Sequence, residues 1–180
     1  TSKMCAWDLG MSDSTSIWVA ETIGGEIRLM DYYENNGQSL SHYIEWLDEK
    51  GYREYTQILP HDVMVKELQT GKSRFEFLSD AGLQIDVAPK SSVEDGIQAV
   101  RRMLPNCWFN KDTTRQGVEC LRNYRRVFNE KLNVFQEKPL HDWSSHCSDA
   151  FRYLALGLDT ATIQRTNWAK PYETTYDGES

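Results

Sequence analysis

The sequence predicts an α/β fold with a mixed central sheet, in which an antiparallel meander is followed by parallel strands and helices flank the sheet. Three apolar runs open the chain, at residues 4–10, 16–23 and 26–33. Gly24-Gly25 joins the second run to the third and is typical of a tight hairpin. After the first predicted helix, strand-like runs alternate with helical periodicity, which is typical of parallel strands joined by crossover helices.

The remaining elements follow from apolar spacing and capping residues. Residues 39–50 place apolar side chains on one helical face, with Ser39 as the N-cap and Gly51 as the C-cap. Further strands are predicted at 56–59, 84–88 and 107–109, and further helices at 73–80, 92–104, 114–131 and 144–158. Residues 1–160 then form one domain, and the polar residues 161–180 form a tail.

The charge balance restricts how the chain can contact a polyanion. A net charge of −7 over 180 residues is a poor fit to a protein that wraps nucleic acid unaided. Basic side chains nevertheless cluster, and a solvated helix face is the alternative interpretation of them. The candidate DNA-binding residues are Lys90, Arg101, Arg102, Arg122, Arg125 and Arg126.

The lengths of the apolar runs and the spacing of the cysteines indicate the cellular compartment of the protein. No stretch approaches the roughly 18 to 20 apolar residues of a membrane span, and no secretory leader opens the chain, so we expect no membrane association. The four cysteines form no C-x-x-C pair, which argues against a zinc ribbon or a dense disulfide framework. A reducing cytoplasm is the expected compartment. The start at Thr1 suggests a domain excised from a longer protein.

Two aspartates follow predicted strands. Asp8 ends the first apolar run and is followed by Gly10, and Asp62 follows the strand at 56–59. Burying the charge of a carboxylate at the tip of a strand is costly, which suggests that a cation or a substrate binds there. If these two strands are parallel neighbours, the two carboxylates meet at one edge of the sheet.

Asp149, inside the apolar stripe of the last helix, is the expected third carboxylate of this site. Carboxylates that converge without basic neighbours stay ionised together only if cations neutralise them, and Mg²⁺ or Mn²⁺ suits oxygen ligands. Two such ions about 4 Å apart would clamp the attacking water and the leaving oxygen of a phosphodiester. Taken singly, each aspartate has a structural alternative as a turn, cap or solvated residue.

Weaker candidates surround Asp149. Asp142 and His146 share its predicted helix face, although Asp142 is equally suited to an N-cap. His141, His146 and Cys147 suggest zinc but lack a fourth ligand. Gly71-Lys72-Ser73 resembles the end of a phosphate-binding loop, yet Lys66 stands where that motif requires glycine.

Three segments resemble the C-terminal nuclease domain of the large terminase subunit of tailed bacteriophages. They are WDLG at 7–10, ILPHD at 58–62 and HDWSSHCSDAFRYLALG at 141–157. The resemblance implies a ribonuclease-H-like fold and a two-metal endonuclease that cuts concatemeric viral double-stranded DNA during genome packaging. It also implies that Asp8 bridges the two Mg²⁺ or Mn²⁺ ions and that Asp62 and Asp149 complete the acidic triad.

The same resemblance implies partners outside this chain. An N-terminal ATPase domain of the same polypeptide is expected, and this chain does not contain it. The small terminase subunit and the portal protein are also expected, which would place the protein in the host cell cytoplasm at the procapsid portal.

Other classes of protein stay open. The turn Asp8-Leu9-Gly10 followed by Ser12 is also typical of an actin-like or sugar-kinase-like phosphotransfer lobe, although such proteins generally need two lobes. A ribonuclease-H-like scaffold without catalysis would be expected to lose a carboxylate. Junction resolvases and integrases share the fold and the chemistry, and only the C-terminal segment favours a terminase.

Overall fold

The computed structural model describes residues 1–10, 14–131 and 144–168, with side-chain positions for all of these except 125–131, 144 and 160–168. The strands are β1 (Ser2–Leu9), β2 (Ser14–Ile23), β3 (Glu26–Asn36), β4 (Thr56–Leu59), β5 (Ile85–Val87) and β6 (Cys107–Phe109). The helices are α1 (Leu40–Lys50), α2 (Arg74–Asp80), α3 (Val93–Met103), α4 (Arg115–Lys131) and α5 (Ser144–Trp168), with 3₁₀ helices at His61–Met64 and Leu104–Asn106.

The strands form one mixed sheet in the order β5-β4-β1-β2-β3-β6. β1, β2 and β3 make an antiparallel meander, and Gly24 and Gly25 at the hairpin between β2 and β3 both have positive φ. β4 pairs parallel with β1, β5 with β4, and β6 with β3. The predicted mixed α/β fold is confirmed. Because β1 and β4 are parallel neighbours, their carboxyl ends share one edge of the sheet.

Alternate residues of β1 serve two different cores. Met4 and Ala6 belong to a core that includes residues of α3, α4 and α5, whereas Cys5 and Trp7 belong to a core that includes residues of α1. Side chains alternate between the faces of a strand. Asp8 is therefore on the face that α5 covers.

The helix α5 packs across β1 and β2 and touches both α3 and α4. The indole nitrogen of Trp18 on β2 donates to the backbone oxygen of Cys147, at 2.9 Å. Cys147 is also joined to Cys120 of α4 by a disulfide, a pairing that the cysteine spacing does not predict. These contacts fix the first turns of α5 over the end of β1.

Helix boundaries match the predictions best where capping residues mark them. Ser73 begins α2 with a complete capping box, and Gly51 ends α1 in the left-handed conformation. The end predicted for α5 at residue 158 is wrong, because the helix continues to Trp168. A polar composition without an apolar stripe does not by itself exclude a helix. None of the helices in the described ranges is long and apolar enough to span a membrane.

Gly117 allows α4 to approach the sheet, and we expect Gly117→Ala to destabilise the protein. A Cβ atom at this position would lie 2.4 Å from Cη2 of Trp18 and 2.7 Å from Cγ of Tyr32, both rigid ring atoms. Overpacking of this kind lowers the free energy of unfolding by about 1–3 kcal/mol, measurable by urea denaturation. The matched control is Gly157→Ala, whose nearest contact is the flexible end of Ile58. Equal stability of the two variants would contradict the close approach.

Candidate active site

Asp8 is a buried carboxylate at the end of β1, with only 7% of its surface exposed. Its Oδ2 atom is 2.8 Å from Nδ1 of His146, which lies in the first turn of α5. Gly10 makes this approach possible, because a Cβ atom there would be 2.9 Å from Cε1 of His146 and 2.6 Å from the backbone oxygen of Ser14. Gly10 therefore allows α5 to pack against the end of β1, in addition to allowing the chain to turn.

The environment of Asp8 disfavours its charge. Burial is the largest influence and raises the pKa of Asp8, while the hydrogen bond with His146 acts in the opposite direction. The charges of Asp149 and Asp62 raise the pKa further. The net result is a pKa above the ordinary value for aspartate. The three carboxylates predicted from the sequence are thus close enough for their charges to interact.

Asp149 lies one turn after the start of α5 and has its own counter-ion. Arg152 donates to Oδ1 of Asp149 from the next turn of the same helix. The Arg152 side chain is only 13% exposed, and within the described residues its Nε atom is buried without a hydrogen-bond partner. The carboxylates were expected to have no basic neighbours. That expectation is wrong, because Arg152 pairs with Asp149 and His146 pairs with Asp8.

Asp62 lies in the 3₁₀ helix that follows β4 and is exposed to solvent. Its charge contributes to the raised pKa of Asp8 and also acts on Tyr153 of α5. Burial first, and then the charges of Asp8, Asp149 and Asp62, raise the pKa of Tyr153 to about 12. The Tyr153 hydroxyl is therefore protonated at neutral pH and within the electrostatic influence of the three carboxylates, and sequence spacing alone gave no signal for it.

Glu34 is a further acidic residue that no sequence pattern indicated. Ser16 of β2 lies opposite Asp8 on one side and opposite Glu34 of β3 on the other. The hydroxyl of Tyr32 donates to Oε2 of Glu34 at 2.6 Å, and Gln116 of α4 donates to Oε1. The charge of Glu34 also helps to raise the pKa of His146. Glu34 therefore extends the acidic surface across three strands.

The donor set of the site suits a hard divalent cation. Asp8, Asp62 and Asp149 offer carboxylate oxygens, the ligands that Mg²⁺ and Mn²⁺ prefer, and His146 contacts Asp8 through Nδ1. As placed, however, no three His, Cys, Asp or Glu side chains in the described part of the chain form a group that could hold a metal ion. The residues fit a cation by their chemistry, while protein partners hold two of them.

Several residues that the sequence predicted for this site or for DNA binding lie elsewhere in the structure or outside the described ranges. His141 and Asp142 lie outside the described residues, as do the side chains of Arg125 and Arg126. Arg122 is exposed and its Nη1 is 3.8 Å from Oε2 of Glu119. The candidate roles of these residues stay predictions.

The two basic positions of α3 lie near the start of β1, at the opposite end of that strand from Asp8. Arg102 pairs with Asp159 at 2.6 Å and lines a cavity with Ser2, at the start of β1. Six residues separate Ser2 from Asp8 along the strand, which corresponds to roughly 20 Å. Arg101 occupies the same last turn of α3. Lys90, by contrast, follows β5 at the edge where β4 and β5 end.

The ion pair with Asp8 should make stability depend on pH through His146. The hydrogen bond with Asp8 raises the pKa of His146, although burial lowers it in part. As long as Asp8 is ionised, the pair therefore stabilises the fold below pH about 6.5, and this contribution is lost as pH rises through the folded-state pKa of His146. We expect His146→Gln to remove this dependence, measured as unfolding midpoints in EDTA. His42→Gln is the control, since His42 bonds Tyr33 instead of a carboxylate; an unchanged pH profile in His146→Gln would contradict the assignment.

Comparison with known proteins identifies the fold. No protein-family model matches the chain, and no curated protein matches it. The large terminase of a thermophilic bacteriophage, solved with ATP-gamma-S, aligns over 86% of this chain with a TM-score of 0.64 and 18% identity. The P22 large terminase nuclease domain aligns over 88% of this chain and 81% of its own, with a TM-score of 0.59 and 18% identity.

A third solved structure agrees with these two. The nuclease domain of the SPP1 large terminase, g2p, solved with bound Mn, aligns over 88% of this chain and 87% of its own, with a TM-score of 0.53 and 18% identity. The fold is therefore ribonuclease-H-like, as predicted. Among proteins of that class, the chain has the fold of the nuclease domains of phage large terminases. It spans 39% of the length of the terminase that was solved with ATP-gamma-S.

Proposed function

We propose that this chain is a divalent-metal-dependent DNA endonuclease. The observation that carries the proposal is the buried Asp8 carboxylate, whose pKa is raised by burial and by the neighbouring charges of Asp149 and Asp62. A fold that retains such a costly group at a strand end implies a ligand that offsets the cost. The likeness to solved terminase nuclease domains supports phosphodiester hydrolysis as the chemistry.

The side chains divide the work of the proposed reaction. Asp8, Asp62 and Asp149 would hold the cation, and when bound a divalent ion supplies Lewis acidity and activates a water. His146 orients the Asp8 carboxylate through Nδ1, and Arg152 orients that of Asp149. Tyr153 offers a protonated hydroxyl for a phosphate oxygen. The SPP1 nuclease domain was solved with bound Mn, and the large terminase nuclease from the thermophilic phage G20c was solved with bound zinc, which supports a divalent ion. That there are two ions, and that they are Mg²⁺ or Mn²⁺, is part of the proposal.

The biological setting is proposed from the resemblance alone. We infer that the substrate is concatemeric viral double-stranded DNA and that cutting accompanies genome packaging. The longer phage terminase that was solved with ATP-gamma-S supports an ATPase domain in the same polypeptide. The small terminase subunit, the portal protein and a site of action at the procapsid portal in the host cytoplasm complete the proposal.

Cleavage of supercoiled plasmid tests the activity. The chain is incubated with Mg²⁺, Mn²⁺ or EDTA, and its thermal midpoint is recorded with each metal. We expect nicking and linearisation with Mg²⁺ or Mn²⁺, none in EDTA, and a rise in the midpoint on metal binding. No cutting and no metal-dependent shift would contradict the proposal. Stabilisation by ATP instead would favour the phosphotransfer lobe.

A further inference from the structure

An arm of the chain projects between β4 and α2 and contains Asp62. It comprises residues 61–73, begins with the 3₁₀ helix His61–Met64, and closes through an antiparallel bridge between Lys66 and Ser73. Within it, the Glu67 amide donates to the Lys72 oxygen at 3.1 Å. Such local bonds give the 61–73 arm a defined hairpin shape.

The base of the 61–73 arm is fixed beside the candidate active site. Val63 is buried in the core under α1, with 1% of its surface exposed. Arg74, the first residue after the arm, donates from Nη1 to the backbone oxygen of Leu9 at 3.4 Å, and it pairs with Glu67 at 3.5 Å. Leu9 is the neighbour of Asp8 in β1. The arm is therefore held at both carboxylate-bearing strand ends.

The outer part of the arm is apolar and exposed. Met64 is 54% exposed, Val65 is 67% exposed and Leu68 is fully exposed at 104%. Exposed apolar side chains that stand close together indicate an interaction site more often than single ones do. Because Val63 already anchors the arm, these three side chains are not needed to hold its conformation.

The arm contains two lysines, Lys66 and Lys72, which are balanced in number by Asp62 and Glu67. Glu67 is paired with Arg74, so the lysines are the arm's contacts for an anionic partner. Lys66 lies between Val65 and Leu68 in the chain and forms no ion pair among the described residues. Lys72 pairs with Asp80 at 3.2 Å, but both side chains are more than 60% exposed, at 62% and 65%. An exposed pair of this kind exchanges partners at little cost. The arm thus offers two cations beside its apolar tip, in a chain of net charge −7.

We propose that the 61–73 arm binds the minor groove of the DNA duplex, with Leu68 and Met64 against the base edges and Lys66 on a phosphate. The inference rests on the proposed nuclease function. Any duplex that presents a phosphodiester to Asp8 and Asp62 must also pass the arm, because the arm contains Asp62 and is tied to Leu9. Apolar side chains such as Leu and Met are the usual minor-groove wedges.

Duplex binding without cutting tests the arm apart from catalysis. The affinity for a short fluorescein-labelled duplex is measured by anisotropy with Ca²⁺ in place of the catalytic ion. Leu68→Ser is expected to weaken binding about tenfold, the loss for one leucine-sized apolar contact, and to raise KM for cutting without changing kcat. Met64→Ser should act in the same direction. Leu104→Ser is the matched control, since Leu104 is 41% exposed at the far end of α3.

The outcomes separate the arm from the proposed activity. Cutting by all variants with unchanged duplex affinity would overturn the arm's role while leaving the nuclease intact. Weaker duplex binding by Leu68→Ser in a chain that never cuts would support the arm's role and count against the nuclease. The proposal would be overturned if the unmodified chain did not bind duplex. It would also be overturned if Leu68→Ser abolished self-association of the chain and left its DNA affinity unchanged. Netropsin should compete with the unmodified chain, and the absence of competition would exclude the minor groove.

Discussion

Replacing Asp8 with asparagine is expected to reduce metal-dependent cutting by more than about a hundredfold. Mutating a residue that only positions a metal ligand typically costs about 10- to 100-fold in activity, and loss of the ligand itself should cost more. The same change should raise the thermal midpoint of the metal-free protein at neutral pH. Burial raises the pKa of Asp8, so its ionised form opposes folding above the unfolded pKa. Asparagine keeps the shape and removes the charge. Plasmid cleavage and thermal unfolding in EDTA measure the two effects.

Asp31→Asn is the matched control for Asp8→Asn. Asp31 is equally buried, at 7% exposure, but it lies on β3 and accepts hydrogen bonds from the Tyr32 amide and the Tyr52 hydroxyl. Its pairing opposite Val19 places it on the face of α1, away from Asp149. This variant should cut normally. Full activity in Asp8→Asn, or equal loss in both variants, would contradict the assignment of Asp8.

Local signals in the sequence were sufficient for the scaffold. Gly24-Gly25 marks the hairpin between β2 and β3, Gly51 ends α1, and Ser73 begins α2, and each needs only its immediate neighbours to act. The shared edge at which β1 and β4 end needed one further rule, that a strand following a crossover helix pairs parallel with an earlier strand. That rule applied, since β4 pairs with β1.

The position of Glu34 could not be predicted from the sequence, because a β-bulge determines it. Counted from the hairpin, Ala20 pairs with Leu29, but Val19 pairs with Asp31, so Met30 is an extra residue. Without the bulge, Ser16 would face Tyr33, and Glu34 would lie on the opposite face of the sheet. The bulge brings the Glu34 carboxylate to the face of Asp8.

The counter-ions of the site were also beyond sequence reasoning. Arg152 follows Asp149 by three residues, a spacing that usually gives only a weak surface pair. Here the packing of α5 on α3 buries the arginine, since a Cβ atom on Gly96 would lie 3.1 Å from Cδ of Arg152. Because Arg152 is buried, loss of its ion pair with Asp149 should lower the stability of the fold.

Asp149→Asn is expected to abolish cutting and to destabilise the protein, opposite in sign to the effect of Asp8→Asn on stability. The substitution leaves the guanidinium of Arg152, which is 13% exposed, without its carboxylate. Breaking a buried pair by removing one partner is strongly destabilising. Asp149 is 29% exposed, so solvent screening reduces the expected loss in the free energy of unfolding to about 1–3 kcal/mol.

A double-mutant cycle with Arg152→Met measures the coupling directly. Methionine retains much of the arginine stem without its charge, so the double variant should recover most of the stability that Asp149→Asn loses, while cutting remains abolished. Urea denaturation in EDTA supplies the four free energies. Additive effects within about 0.5 kcal/mol would show that the pair does not stabilise the fold. Strong coupling would show that Arg152 neutralises Asp149 in the metal-free protein, whereas Asp8 remains a buried carboxylate whose cost a cation offsets.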